Sequence, residues 1–253
     1  MPLTLTALEN IPLIRQDDDL ADIIVNSLQH NKVGLEDNDI LVVAQKIVSK
    51  AEGRMVDLAT VAPSNKAIEL AEQTQKDPRL IKLILSESVE ILRTRPGTII
   101  VEHKLGFICA NAGIDHSNVS QSSNEEWVLL LPQEPDLSSR MMREKIETTT
   151  GKKIGILIID SHGRAWRNGT VGMAIGMSGV PGLEDLRGTS DLFGSELRIT
   201  QVGVADELAA AASLVMGQAA EGTPVVHVRG FPYPLRDGSL KELIRLKEMD
   251  MFR

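Results

Sequence analysis

Five short runs of apolar, largely β-branched residues constrain this chain most, each bounded by polar residues. They are Ile40–Val43, Thr98–Val101, Trp127–Leu131, Ile154–Ile159 and Val225–Val228. Runs of this kind read as buried strands. Helical patterns lie between them. Ser64 is an N-cap for a helix carrying Ala67, Ile68, Leu70 and Ala71, and Asp77 opens a second with Leu80, Ile81, Ile84 and Leu85. Asp136 to Thr150 reads as a helix closed by Gly151, and Asp206 to Gly217 as an Ala-rich one with Leu208, Ala212 and Val215 on its buried side. Ser239 to Met249 reads as a last amphipathic helix. The irregular alternation predicts an α+β fold with mixed sheets and packed helices, not a regular doubly wound sheet.

At 253 residues the chain can bury roughly three-quarters of its unfolded surface, enough for a large single domain. No repeat, low-complexity block or Pro/Gly/Ser linker divides it. One domain over 1–253 is expected, with a subdomain boundary near 120–130, where Ser120–Glu126 is the best candidate.

Composition removes several functions. The formal net charge is −8 and aromatics make up 3% of the chain, so neither a basic block nor a series of stacking rings is available to a nucleic acid. The single Cys109 cannot form an internal disulfide, which suits a reducing compartment. The start MPLTLTALENIPLIRQDDDL lacks the features of a signal peptide. The apolar window Leu208–Gly217 is about half of a membrane span. A soluble, cytoplasmic protein is expected.

Four segments could carry chemistry. In the first, an apolar strand runs into Gln45 and Lys46 with Lys50 at i+4, so a helix would put both ammonium groups on one face. Two cations at a strand end suit phosphate, and two solvated lysines are the bland alternative. In the second, Asn111, Gly113, Asp115, His116 and Asn118 offer oxygen ligands for a hard divalent cation or an ordinary Asn/Asp/Gly turn.

The third is a buried strand ending in Asp160-Ser161, a place where metal-binding carboxylates gather. A haloacid-dehalogenase-type phosphatase would need a second Asp where His162 stands, and His162 is expected in a turn. The fourth runs through Gly169, Gly172, Gly176, Gly179 and Gly182, signalling unusual backbone or close approach to another chain or ligand. Neither a P-loop nor a Rossmann fingerprint is present. Downstream, Met216-Gly217-Gln218-Ala219-Ala220-Glu221-Gly222 is a loop of small residues able to expose N–H groups to anions, or an ordinary helix end. Together these are the parts of a metal-assisted phosphoryl-transfer site.

At these residues the chain resembles a known family. Val42-Val-Ala-Gln-Lys-Ile-Val-Ser-Lys-Ala-Glu-Gly53, Asn111-Ala-Gly-Ile-Asp-His-Ser-Asn118, Ile159-Asp-Ser-His-Gly-Arg164 and Asp206-Glu-Leu-Ala-Ala-Ala-Ala212 occur in the order found in CofE-type coenzyme F420-0:L-glutamate ligases, the γ-glutamyl ligases. The likeness spans nearly the whole chain, from Ile11-Pro-Leu-Ile14 to the Val225–Gly230 strand.

The resemblance implies an F420 ligase-type α+β fold in an intertwined homodimer. It also implies GTP-dependent addition of L-glutamate to coenzyme F420-0, then of a γ-linked glutamate to F420-1, in F420 biosynthesis. Mg²⁺ or Mn²⁺ at two sites and stimulation by K⁺ would accompany it. By motif, Asp115 and Asp160 would ligate one metal, Ser161 and Gln218 would belong with a second, and Lys46 would join the two carboxylates in catalysis. The nucleotide would be contacted by Ile11, Pro12, Leu13, Ile14, Gln45, Lys46, Lys50 and Asn118, and by Met216, Gly217, Gln218, Ala219, Ala220, Glu221, Gly222 and Thr223.

Gln218 brings no formal charge to its site, and the nitroreductase-like domain of a bifunctional relative is not expected. A ligase acting on a different acid and a non-catalytic nucleotide-binding module are the competing readings. The intact set Asp115, Asp160, Ser161 and Lys46 favours catalysis.

Overall fold

Three of the five apolar runs, those around Leu41, Ile156 and Val226, assemble into one mixed sheet. The computed structural model describes residues 2–117 and 126–251, so Asn118 and most of the Ser120–Glu126 stretch lie outside the described residues. Strands β1 (Thr4–Ala7) and β2 (Ile40–Ala44) precede β3 (Met55–Asp57), β4 (Ser88–Arg95), β5 (Thr98–His103), β6 (Ile108–Ala110) and β7 (Trp127–Leu129). They are followed by β8 (Gly155–Arg164), β9 (Arg167–Ser178), β10 (Glu184–Asp185), β11 (Gln201–Val202) and β12 (Val225–Arg229). The helices are α1 (Leu20–His30), α2 (Gln45–Ala51), α3 (Asn65–Thr74), α4 (Pro78–Ser86), α5 (Pro135–Thr150) and α6 (Val204–Met216).

The main sheet has the order β1-β12-β2-β8-β9. Its β2–β8 pair is parallel, running from Ile40 opposite Gly155 to Ala44 opposite Ile159, whereas the other three pairs are antiparallel. Both strands therefore point their carboxyl ends the same way. Alternation sorts their side chains onto two faces. Leu41, Val43, Ile156 and Ile158 join the core formed with α1, α3, α4 and α5. Ile40, Val42, Leu157 and Ile159 pack instead with Ala205, Leu208, Ala209 and Ala212 of α6. A three-stranded antiparallel sheet, β4-β5-β6, and the β3–β7 pair complete the α+β architecture.

Local chemistry explains the helix ends. Ser64 Oγ accepts the Ala67 N–H at 3.3 Å, and Asp77 Oδ1 accepts that of Arg79 at 2.7 Å. Gly151 closes α5 in the left-handed conformation, φ 70°. The glycines of β9 admit the protein's own helices: a Cβ on Gly172 would lie 2.4 Å from Ala209 O, and one on Gly176 2.5 Å from Pro135 C.

Four expectations are corrected. Ser239–Met249 is not one helix but two 3₁₀ turns, Leu240–Glu242 and Lys247–Met249. Long-range partners hold this segment: Asp136 accepts the Leu240 N–H, and Glu242 accepts those of Gly182 and Leu183. Val215 is partly exposed, and Met216, four residues after Ala212, continues the packed stripe of α6. The Trp127 strand ends at Leu129. Finally, β8 does not stop at Asp160-Ser161. It continues to Arg164 as a hairpin with β9, so His162 is a buried strand residue and not part of a turn.

Candidate active site

The parallel pair determines where polar side chains collect. Immediately after β2, α2 begins at Gln45, and in the neighbouring strand Asp160 follows Ile159, the partner of Ala44. The third contributor is Asp115. It follows the 3₁₀ turn Asn111–Gly113, whose three residues all have positive φ: 52°, 54° and 64°. Three hydrogen bonds fix this costly backbone near its ends. Asn111 Oδ1 accepts the Ile99 N–H at 3.1 Å, while Asp115 and Leu129 exchange both backbone bonds at 2.9 Å.

Asp115 Oδ2 is the meeting point. The Lys46 ammonium is paired with it, and Gln45 Nε2 donates to it at 2.8 Å. Gln45 is itself buried and held by Ser49, whose hydroxyl donates to Gln45 Oε1 at 2.9 Å. Burial pushes the Asp115 carboxyl up from its ordinary range against the pull of Lys46, and the charge of Asp160 pushes the same way. Asp160 behaves oppositely. Burial works against its charge, but His162, the Ser161 N–H and Lys46 together hold its carboxyl below the usual range. Lys50 shares the Lys46 face of α2, half-buried, and burial reinforced by the Lys46 charge lowers its affinity for a proton.

Consecutive strand residues face opposite ways. Asp160 and His162 share the face of Phe107, whose ring centroid is 5.0 Å from that of His162. Ser161 turns to the other side and donates to Gln218 Oε1 at 2.6 Å. The loop after α6 is folded on itself: Glu221 accepts the Ala219 N–H at 2.7 Å, and Thr223 Oγ1 donates to Met216 O at 2.9 Å.

Backbone bonds gather the remaining segments. Ala44 donates to Pro224 O at 2.8 Å, which sets the Met216–Thr223 loop beside the start of α2. The Ile11–Ile14 segment is pinned at both ends, where Leu8 donates to Val225 O and Asp17 to Ala51 O, each at 2.9 Å. Within it Leu13 is 90% exposed and Ile14 is buried. The structure thus brings Gln45, Lys46, Asp115 and Asp160 together, sets Ser161 with Gln218 on the other side of β8, and does not describe Asn118.

The donors suit a hard divalent cation. Two carboxylates, a hydroxyl and an amide oxygen are all oxygen ligands, and Lys46 already places a positive charge on Asp115 Oδ2. Among the described residues no group of three or more His, Cys, Asp or Glu could hold a metal. A metal on Asp115 and Asp160 would therefore take its remaining ligands from water or substrate oxygens, with Ser161 and Gln218 on the other side of β8.

Two contributions were missed in the sequence. Gln45 orients Asp115, and His162 backs Asp160 with its Nε2 3.0 Å from Asp160 Oδ2, though without hydrogen-bond alignment. The sequence signal for His162 is its i+2 spacing from Asp160, which puts both on one face of a strand that continues to Arg164.

Comparison with known proteins identifies the family. The family model described as F420-0:Gamma-glutamyl ligase matches residues 9–230. A Methanococcus maripaludis protein named coenzyme F420:L-glutamate ligase is 49% identical over 245 residues, covering 96% of this chain and 94% of its own. Proteins of the same name from Methanothermobacter thermautotrophicus and Archaeoglobus fulgidus are 45% and 43% identical, over 100% and 97% of this chain and 100% and 94% of their own. The chain therefore belongs to the F420-0:gamma-glutamyl ligase family.

Proposed function

We propose that this protein joins L-glutamate to coenzyme F420-0, and then a γ-linked glutamate to F420-1, at the expense of GTP. The observation that carries the proposal is the convergence of Asp115, Asp160 and Lys46 where β2 ends beside the middle of β8. The names of the relatives supply coenzyme F420 and L-glutamate.

Amide formation from a free carboxylate fails in water because oxide is a poor leaving group. In the proposed reaction a carboxylate oxygen of F420-0 attacks the γ-phosphorus of GTP and GDP leaves. The glutamate nitrogen then attacks the acyl carbon, phosphate departs, and the nitrogen loses a proton. Lys46 stabilises charge on the transferring phosphoryl group, and Gln45 keeps Asp115 oriented. Asp115 and Asp160 would hold one Mg²⁺ or Mn²⁺ and Ser161 with Gln218 a second, which would supply charge neutralisation at the phosphates. No nucleophilic side chain is required. The Ile11–Ile14 segment, Lys50, Asn118 and the Met216–Thr223 loop form the nucleotide surface, and K⁺ stimulates.

We place the reaction in the cytoplasm, where a reducing medium suits the single buried thiol of Cys109. No helix among the described residues is long and apolar enough to cross a membrane. A homodimer is part of the proposal. It is supported by the exposed apolar side chains of Leu192, Phe193, Ile199 and Leu214, which are 86–98% accessible. The test is incubation with F420-0, L-glutamate, GTP and Mg²⁺, with product masses resolved. A GTP-dependent gain of one glutamyl unit, then a second, is expected, and no gain would refute the reading.

A further inference from the structure

A cavity of about 320 Å³ is lined in part by His162, whose Nε2 lies 3.0 Å from Asp160 Oδ2. Its walls are apolar, built from Phe107, Met173, Leu240 and Ile244, and four polar side chains line it: His162, Asp206, Arg245 and Asp250. That size suits a small polar metabolite, and the polar groups are few and of both signs.

Three of these groups keep polar atoms without a hydrogen bond within the described residues. His162 is 5% exposed, yet neither ring nitrogen makes a hydrogen bond; Nε2 only abuts Asp160, and Nδ1 has no neighbour to bond. A buried imidazole left this way is costly unless a ligand completes it. Asp206 spends Oδ1 on the Ala174 N–H at 2.9 Å, while its Oδ2 accepts nothing among the described residues. Arg245 is exposed at the rim and makes no ion pair there.

A simple anion does not suit a cavity that holds two carboxylates and one guanidinium, and neither does an apolar ligand. A small zwitterion suits it, with an ammonium for Asp206 and a carboxylate for Arg245. Resting on the ligase reading above, we propose that this cavity is the seat of the amino-acid co-substrate, L-glutamate. Its ammonium lies against Asp206 Oδ2, one carboxylate lies against Arg245, and His162 Nδ1 hydrogen-bonds to it. The second carboxylate points to solvent at the rim. His162 is the wall shared with the Asp115–Asp160 site, so an amine held here lies beside the place where the acyl group is activated. The Asp206-Glu-Leu-Ala motif, which the phosphoryl-transfer site leaves unused, thereby gains a role.

The test is titration of L-glutamate into the protein by calorimetry, with glutarate as the analogue lacking the amine. The wild type should bind L-glutamate and prefer it to glutarate. Asp206→Asn and Arg245→Gln should each weaken L-glutamate binding about ten-fold or more, the loss of one charge-assisted bond. Asp206→Asn should leave glutarate binding unchanged. Both variants should fold, because an asparagine can still accept the Ala174 N–H and Arg245 is exposed. No binding by the wild type, or L-glutamate affinity within two-fold of it in both variants, overturns the assignment. Glutamate binding with these losses in a protein that adds no glutamyl unit to F420-0 would sustain the cavity and refute the ligase reading instead.

Discussion

Lys46 is ion-paired with Asp115 through Oδ2, the oxygen that also takes the Gln45 amide at 2.8 Å. This carboxylate is held for its charge in a place where burial disfavours that charge. Asp115→Asn should lower turnover by about 10²–10³-fold, the scale for losing a preorganised charged group. Because the native carboxyl is already pushed up, the variant should melt no lower than wild type. Asp160→Asn should act likewise on turnover. Wild-type rates in either variant, measured with resolved product masses, would remove the metal assignment.

Ser161 and Gln218 touch one another through neutral groups. Gln218→Glu should add a charged oxygen and lower the Mg²⁺ concentration giving half-maximal activity. An unchanged metal dependence would exclude Gln218 from the second site. Because the whole chain carries −8, the proposed cations supply much of the positive charge a nucleotide needs. GTP affinity by calorimetry should therefore fall steeply in excess chelator, and a metal-independent affinity would contradict the model of the site.

Asp39 is buried and held by four contacts, one of them the Glu36 N–H at 2.8 Å. Arg229 donates to both of its oxygens, at 2.9 and 2.7 Å, and His227 Nε2 lies 2.8 Å away. Arg229→Met leaves the carboxylate without its main partner and should cost about 3 kcal/mol in urea unfolding. Burial opposes the Asp39 charge, but Arg229 and His227 outweigh it and hold the carboxyl below 3.8. Its stabilisation is therefore complete above pH 3.8 and is lost as pH falls through the lower native value.

His103 titrates earlier. Burial, with help from the charges of Arg54, His162 and Lys104, pushes it down to about 4. The unfolded chain binds a proton near pH 6.5 while the native state resists until about 4, so stability should decline as pH falls across that interval. Denaturant midpoints measured from pH 7 to 4 should show this slope. His103→Leu, which keeps an apolar body against Phe107, should flatten it, and an unchanged slope would reassign the effect.

Much of this molecule was legible in its sequence because local rules and tertiary packing agree there. The five apolar runs are strands, Ser64 and Asp77 are caps, and Gly151 ends its helix. Legibility failed where a distant partner decides. Leu240 gives its N–H to Asp136, more than a hundred residues away, so the amphipathic spacing after Ser239 never becomes a helix. The β-glycines looked like gaps for a foreign ligand, but Ala209 and Pro135 fill them. In the site, residue types and motif order located Asp115, Asp160 and Lys46. The commitment of Gln45 to Asp115, 70 residues apart, and the cavity at His162, lined by the distant Phe107 and Asp206, needed three dimensions.

The parallel β2–β8 pair has a temporal consequence. Ala44 and Ile159 are register partners, yet everything between them must be synthesised before they can meet. Contacts of such sequence separation form late and slowly. A nascent chain released before Asp160 emerges should hold neither nucleotide nor metal, however well its first half has collapsed. On the ribosome, ligand capture would thus signal that the long connection has closed correctly.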